Sequence, residues 1–539
     1  MGAVSAGIGW QLRTILVKRG GHLTGPQLLW RSGGLRTVVK YSGGVLLATV
    51  GIDREASTPI AVQLAGAIRD AILSGKLAPG QRLPSSRTLA RDHDVSRTTA
   101  VAVFDQLTAE GLIVSRVGAG AYVSDALNSH RPASVDSGPV SFDSSRHPAR
   151  LARLTKNASE QYFARLAHPV QPRAFVTGTP AYDDFPVALW ARLTARYWRE
   201  SRGIMLGYPE PSGLMALRKA VSAHLRANRG VVCEPEEVFI VNGAQDAFNR
   251  IGNILLDPGD PVWFENPGAI GARNSLISCG ARLVPVPVDE EGISVKAGLS
   301  AAPDFRLAFV TPSHQHPTGV TMSLERRFEL LRAAERAGAW IIEDDYDGEF
   351  FYSGRPLPTL KSVDTAGRVI YVGTFSKSLF PALRLGFLVA PPALADIFRR
   401  IAGATLQGAP TNQQAVVANF IEEGHFASHI RRMRKLYAER QEVLLEAAST
   451  RLAGMLDVMR SESGIQTVGY LAEGLEEEPV ADAAAKRGVI VAPIGRFCLE
   501  PVAARGLALG FSASQPRDIK AGVSVLGEVL ESFLSAGRR

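Results

Sequence analysis

The sequence predicts a multidomain protein: a small winged helix-turn-helix at the N-terminal side, a linker, and a larger α/β unit that ends in a smaller α+β subdomain. Three observations carry this. Apolar residues recur with helical spacing from Thr58 and give way to two short strands around a glycine-rich tip near Arg116. Residues 126–172 turn rich in Ser, Pro, Arg and Ala with little periodicity. From Phe175 onward apolar strands alternate with helical stretches, which argues for a mainly parallel sheet.

Within residues 53–125, Ile60, Leu64, Ile68 and Ile72 give a first helix one apolar face. "SGKLAPGQRLPSS" breaks that helix, and Ser85 or Ser86 can cap a second, short one. "HDVS" reads as a tight turn, with Asp94 in a left-handed position and Ser96 as the next N-cap. Val101, Phe104, Leu107 and Leu112 are placed to cover the first two helices, and "GLIVSRVGAGAYVS" supplies the wing.

In the larger unit the strand candidates are "EVFIVNG", "PVWFENP", "RLVPVPV", "RLAFVTP", "AWIIEDDYD", "RVIYVGTFSK" and "RLGFLVAPP", with helices such as Pro211–Arg229, Ala244–Leu256 and Leu324–Ala337 between them. After about Leu394 the pattern shifts to long helices with few strands. The expected division is therefore an extension at 1–52, the winged helix at 53–125, a linker at 126–172 with one helix around Glu160–Leu166, and the α/β unit at 173–539, its small subdomain starting near 395.

Composition is that of an ordinary globular protein, 46% hydrophobic and 21% charged over 539 residues. The net charge of +8 is uneven. Residues 1–52 carry Arg13, Lys18, Arg19, Arg31, Arg36 and Lys40 and no acid, whereas residues 53–125 balance eight bases with eight acids, so bulk charge says nothing about nucleic acid. The basic front reads as a disordered arm, a transit peptide or a start placed too far upstream. No apolar run is long enough to span a membrane. Cys233, Cys279 and Cys498 are too scattered for a metal pair or a disulfide framework, and no metal is expected; a reducing cytoplasm suits them.

Two stretches carry chemistry. In a helix-turn-helix the second helix enters the major groove by its first turn, here Ser96, Arg97, Thr98 and Thr99. Arg87 starts the preceding helix, and Arg116 and Gly118 sit at the wing; guanidinium can read guanine or hold phosphate, and the hydroxyls can donate to phosphate. The plain alternative is a small helical bundle with an Arg-rich side. The second stretch is "GTFSKSLFPALRLG". Lys377 offers an amine able to form a Schiff base with the aldehyde of pyridoxal phosphate. That cofactor also needs a carboxylate for its pyridinium nitrogen, a donor for its O3′ and amides, hydroxyls and an Arg for its phosphate. "IIEDDYD" offers Asp344, Asp345 and Tyr346; "VNGAQDAF" offers the amides of Gly243, Ala244 and Gln245; Thr374, Ser376 and Arg384 flank the lysine. His314 and His316 can equally be loop histidines with ordinary hydrogen bonds.

"GKLAPGQRLPSSRTLARDHDVSRTTAVAVFDQLTAEGLIVSRVGAGAYV" resembles the DNA-binding domain of GntR-family bacterial regulators, departing from it at His93, Asp94, Ala119 and Ala121. The chain from about residue 173 resembles the fold-type I aminotransferases. "GYPEPSG", "VNGAQ", "TPSHQHPTG", "EDDYD" and the lysine motif are most similar to the MocR/GabR-type regulators, which fuse the two parts. The resemblance implies that Lys377 bonds the cofactor and that Asp344, with Asp345 adjacent to it, pairs with the pyridinium nitrogen. It implies further that Tyr346 faces O3′, that Gly243, Ala244, Thr374, Ser376 and Arg384 hold the phosphate, and that His316 lies in the same site. Tyr208 aligns with a tyrosine that reaches the partner's phosphate, which implies a domain-swapped homodimer. Ala269 replaces a frequent aromatic. Ala508 replaces the arginine that grips a substrate carboxylate, with Arg496 as a possible substitute.

The expected function is regulation of transcription at double-stranded operator DNA, with pyridoxal phosphate, alone or with an amine or amino acid, as the signal. The rival from another class is a working aminotransferase with a fused DNA-binding domain, and a third reading is a dimerising body with a vestigial pocket.

Overall fold

The computed structural model describes residues 52–116, 120–125, 150–165, 169, 173–200, 206–352, 356–405 and 408–537. The chain divides into two compact units, Met1–Pro148 and Ala149–Arg539. The basic extension before Ile52, Gly118 and Leu166 lie outside the described residues.

The first unit has helices α1 (Ile60–Leu73), α2 (Ser86–Asp92) and α3 (Arg97–Ala109), followed by the antiparallel pair β1 (Ile113–Arg116) and β2 (Gly120–Val123). Ser85, not Ser86, caps α2 by accepting from the Thr88 amide, and Ser96 caps α3 by accepting from that of Thr99. Asp94 takes the left-handed conformation expected between them, with φ +49°. Leu64, Ile68, Ile72, Leu89, Phe104 and Leu107 form the core. Val101 does not join it: it is exposed, and Ala100 and Val103 are buried instead. The mistaken position reflects a helical stripe that tolerates a one-residue shift when small and large apolar residues alternate.

The second unit is built on an eight-stranded sheet of order β3-β10-β9-β8-β7-β4-β5-β6. These are β3 (Val238–Val241), β4 (Pro261–Asn266), β5 (Arg282–Asp289), β6 (Gly292–Ile293), β7 (Leu307–Val310), β8 (Trp340–Asp345), β9 (Val369–Thr374) and β10 (Gly386–Val389). The run from β5 through β4, β7 and β8 to β9 is parallel. β10 is antiparallel to both β9 and β3, so β3 again points the same way as β9. All seven expected strands are present. Alternate residues enter different cores: Phe239, Phe264, Ile342 and Ile370 pack on one face, while Trp263, Ile341 and Val369 pack on the other. Both faces are covered, which is why these strands read as near-continuous apolar runs. A second sheet, β11 (Leu456–Val458), β12 (Gln466–Leu471), β14 (Gly506–Gly510) and β13 (Ala492–Pro493) in that order, is wholly antiparallel. Helix His425–Arg451 packs on β11 and on helix Pro516–Gly537, and helix Glu477–Lys486 packs on β13 and β14, whereas helix Pro392–Thr405 packs in the core of the larger sheet.

The stretch expected to be linker does not stay free of the second unit. A helix, Arg153–Gln161, packs on helix Ile270–Ser278, and Asn274 brackets the Phe163 backbone, accepting from its N–H at 3.1 Å and donating to its C=O at 2.8 Å. The Arg273 guanidinium lies 3.3 Å from the Phe163 ring centroid. The helix comes earlier than expected, because alternating charged and small residues disguise its one buried contact, Ala158.

Gly373 shows how tightly the lysine motif is set. A Cβ there would come within 2.3 Å of the Phe387 ring on β10. Gly373→Ala should therefore cost about 1–3 kcal/mol by overpacking, read as a lower urea midpoint, and a second change, Phe387→Leu, should recover part of it.

Candidate functional site

The parallel strands end at one edge of the sheet, where ligands lie in open α/β folds. Three residues of like parity on the face that carries helix Ala244–Leu255 meet there: Gly243 two residues past β3, Asp344 near the end of β8 and Thr374 at the end of β9. They open on a cleft of about 360 Å³, lined also by Ala244, Gln245, Tyr346, His316, Ser376, Lys377 and Arg384. Ten expected residues thus share one cavity. Tyr208 does not: it is 86% exposed.

Lys377 lies on the short helix Phe375–Ser378, and its Nζ donates to the Gly178 carbonyl at 2.7 Å. Burial lowers its pKa, opposed by the charges of Asp347 and Asp344. Asp344 is buried, and its Oδ1 has no hydrogen-bond partner. Burial first, then repulsion from Asp345, Asp347 and Glu265, pushes its carboxyl well above the usual range, while Lys377 pulls it down. Asp345 points the other way. Its Oδ2 accepts from Arg229 Nε at 2.8 Å and from the Tyr371 hydroxyl. Strand alternation separates the two carboxylates, one to the cleft and one to an internal ion pair.

Tyr346 closes the cleft beside Asp344, its hydroxyl 2.9 Å from His314 Nδ1. The same nitrogen is 3.0 Å from Asp347 Oδ2. His314 Nε2 lies 3.2 Å from the Ser461 hydroxyl, which already donates to the Ser463 carbonyl, so Nε2–H is the donor. His316 packs edge-on to Tyr346 and Phe497. Its Nδ1 accepts from Gln466 Nε2 at 3.0 Å, and burial drives its pKa down to about 3, so the ring is neutral.

Gly243, with φ +94°, caps helix Ala244–Leu255 and leaves that helix start open to the cleft. Thr374 Oγ1 accepts from the Ser376 amide at 3.2 Å. Arg384 is exposed and has no partner among the described residues. This is a donor set for a phosphate: helix amides, hydroxyls and a free guanidinium. The orphaned Asp344 Oδ1 fits a ring N–H. The residues present therefore fit pyridoxal phosphate.

Ala269 lines the cleft, as does Phe248 from helix Ala244–Leu255. Ala508 is fully buried in an apolar cluster with Ile270, Ala492 and Phe497, and Arg496 does not line the cleft. Sequence reasoning missed Arg165, Gly178 and Gln466, which do. On the first unit, Arg87, Arg97 and Thr98 are exposed, and neither arginine has a partner among the described residues. The Ser96 hydroxyl is drawn into the cap, 2.7 Å from Thr98 Oγ1 and 2.8 Å from Thr99 Oγ1. Arg116 lies 4.7 Å from the Tyr122 ring centroid and 3.8 Å from Asp125.

Residues 60–123 match the family model of bacterial regulatory proteins of the gntR family, and residues 175–505 match that of aminotransferase class I and II. The chain is 40% identical to a probable rhizopine catabolism regulatory protein, MocR, of Rhizobium meliloti, over 90% of this chain and 97% of that protein. It is 33% identical to the HTH-type transcriptional regulator TauR of Rhodobacter capsulatus, over 86% and 95%. Among solved structures, the α-aminoadipate aminotransferase LysN of Thermus thermophilus superposes with a TM-score of 0.62 at 30% identity, covering 67% of this chain and 92% of that one. The chain belongs to the MocR-type regulators, a GntR-family DNA-binding domain joined to a class I and II aminotransferase domain, and it is a DNA-binding transcription regulator.

The two neighbouring carboxylates should respond oppositely to amide substitution. Asp345→Asn strands Arg229 in the interior and should cost about 3–5 kcal/mol. Asp344→Asn should leave the cofactor-free protein no less stable. An acid raised in the folded state destabilises it once the pH exceeds the unfolded value, about 3.9 for Asp. Stability should thus fall as pH rises through the folded value. Glu265 and Glu343, both pushed up to about 7 by burial, add to that fall. Urea midpoints across this range should show a shallower fall in Asp344→Asn than in the wild type.

Proposed function

We propose that the aminotransferase-like unit of this regulator binds pyridoxal phosphate at Lys377, and that loading of the cleft, alone or with an amine or amino acid, sets the affinity of the DNA-binding unit for its operator. The observation that carries the reading is the buried, partnerless Asp344 Oδ1 in the same cleft as Lys377. A buried carboxylate oxygen without a donor is costly, and a ring N–H in the cleft would satisfy it.

When bound, the cofactor supplies an aldehyde that condenses reversibly with amines. The protein's part is to position and hold. Lys377 presents an amine whose burial favours the neutral, nucleophilic form. Asp344 would hold a proton at the ring nitrogen, and Tyr346, oriented by His314, would donate to O3′. The neutral His316 would lie against the ring region without competing for a proton. The amides of Gly243, Ala244 and Gln245, with Thr374, Ser376 and Arg384, would hold the phosphate. Tyr208, exposed and away from its own cleft, would reach the cleft of a second copy in a domain-swapped homodimer. Arg87, Arg97, Thr98, Thr99 and Arg116, with Ser96 as cap, would meet the operator, Arg97 at base edges or phosphate. The cytoplasm is where such a protein would act.

A second reading, turnover as an aminotransferase, draws on Lys377, Asp344 and Tyr346 sharing one cleft. Against it stands Ala508: the position at which the family resemblance expects a carboxylate-gripping arginine holds an alanine buried in an apolar cluster, outside the residues that line the cleft. Steady keto-acid production would favour it.

The deciding experiment pairs an absorbance titration with operator binding by fluorescence anisotropy. Wild-type protein should gain a visible band with pyridoxal phosphate and change its operator affinity. Lys377→Ala should keep basal operator binding and lose both responses; a normal response in that variant would sink the mechanism. Arg97→Ala should weaken operator binding by about 1–3 kcal/mol if it reads a guanine, and should instead reduce the salt slope by about one if it holds a phosphate.

A further inference from the structure

The segment that precedes the body in the chain reaches into the cleft. Helix Arg153–Gln161 is anchored beside helix Ile270–Ser278 by Asn274 and Arg273, which hold Phe163. Two residues on, Arg165 lines the cleft, and its Nη2 donates to Gln245 Oε1. Gln245 is the second residue of helix Ala244–Leu255. Arg384 stands at the start of the same helix, its Nη1 3.9 Å from where a Cβ on Gly243 would lie. Two guanidinium groups therefore attend one helix N-terminus. Among the described residues no carboxylate pairs with either of them; Arg165 is held only by a neutral amide.

Two cations at the positive end of a helix repel each other and the helix dipole unless an anion joins them. The partnerless Asp344 Oδ1 in the same cleft independently marks it as built for a ligand.

We propose that Arg165 grips the anionic end of the molecule that fills the cleft, and that filling the cleft thereby fastens residues 150–165 to the body. The helix start at Gly243 favours the cofactor's phosphate as that anion; an acidic group on an effector is the other source of the same chemistry. In sequence the segment stands between the DNA-binding unit and the body, so its docking fixes where the chain leaves the body. Occupancy of the cleft would then be read by the chain that leads to the DNA-binding unit. This rests on the cofactor reading above and adds a residue and a route to it.

Hydrogen exchange of residues 150–165 in the full-length protein tests it, with a parallel pyridoxal phosphate titration by absorbance. Wild type, Arg165→Ala, Arg165→Lys and Asn274→Ala are compared without ligand, with inorganic phosphate, with pyridoxal phosphate, and with pyridoxal phosphate plus acidic amino acids. In the wild type pyridoxal phosphate should slow exchange around Phe163 and Arg165. In Arg165→Ala that slowing should vanish and the dissociation constant should rise about tenfold, the loss of one charge-assisted grip. Arg165→Lys should fall between, a point charge replacing a fork. Asn274→Ala, which loosens the anchor and not the grip, should exchange faster in every state yet still respond. Slowing by inorganic phosphate alone identifies the phosphate as the anion. Slowing that needs the acidic amino acid, and is lost in Arg165→Ala, assigns the grip to the effector. A wild-type band with unchanged exchange in every arm, and equal affinity in Arg165→Ala, overturns the proposal and leaves the cofactor reading standing. Absence of a wild-type band overturns the cofactor reading instead, and the phosphate arm still decides whether Arg165 binds an anion.

Discussion

A carboxylate buried without a donor is the constraint around which the body is arranged. Strand β8 ends in three consecutive acids, all buried, and the pleat sends them to different fates. Glu343 accepts from the amides of Leu360 and Lys361, each at 2.8 Å. Asp345, on the same face, is paired with Arg229 at 2.7 Å. Only Asp344 faces the cleft, and three acids raise its pKa; one oxygen of each aspartate lacks a donor, but that of Asp345 lies outside the cleft, on a carboxylate already paired with Arg229. Lys377 is the cation that opposes this, and it is held in place by the packing of β9 against β10 at Gly373 and by Gly178, where a Cβ would come within 2.8 Å of Nζ. The sheet thus supports a local polar deficit that its own side chains do not repair, and such a deficit is a feature of ligand sites rather than of cores.

Much of this architecture was legible in the sequence, for identifiable reasons. Parallel strands covered on both faces become short apolar runs bounded by turn residues, and all seven were marked that way. The caps at Ser96 and the turn at Asp94 followed from local chemistry alone. The choice between Asp344 and Asp345 did not, because a period of two tells that they face opposite sides but not which side is the cleft when both sides are apolar. Partners distant in sequence were equally hidden. His314 meets Asp347 across 33 positions, Arg165 meets Gln245 across 80, and Gln466 meets His316 across 150. The docked helix Arg153–Gln161 was obscured by a polar composition that, without knowledge of Asn274 and Arg273, reads as linker.

The combination of what the cleft keeps and what it lacks bears on its use. An enzyme must hold its substrate more tightly at the transition state than before it, which calls for a clamp on the part of the substrate that does not react. Ala508 is sealed into an apolar cluster and is not among the residues that line the cleft. A sensor has a looser requirement: its ligand needs only a different affinity for two states of the protein, and couplings of about 1–3 kcal/mol suffice to move a regulatory equilibrium. A cleft that brings together a lysine, a buried acid, a helix start and a guanidinium, and takes a further arginine from the segment that precedes the body, meets that looser requirement. One group that would bind the ligand, Arg165, then lies on the chain that has to report it.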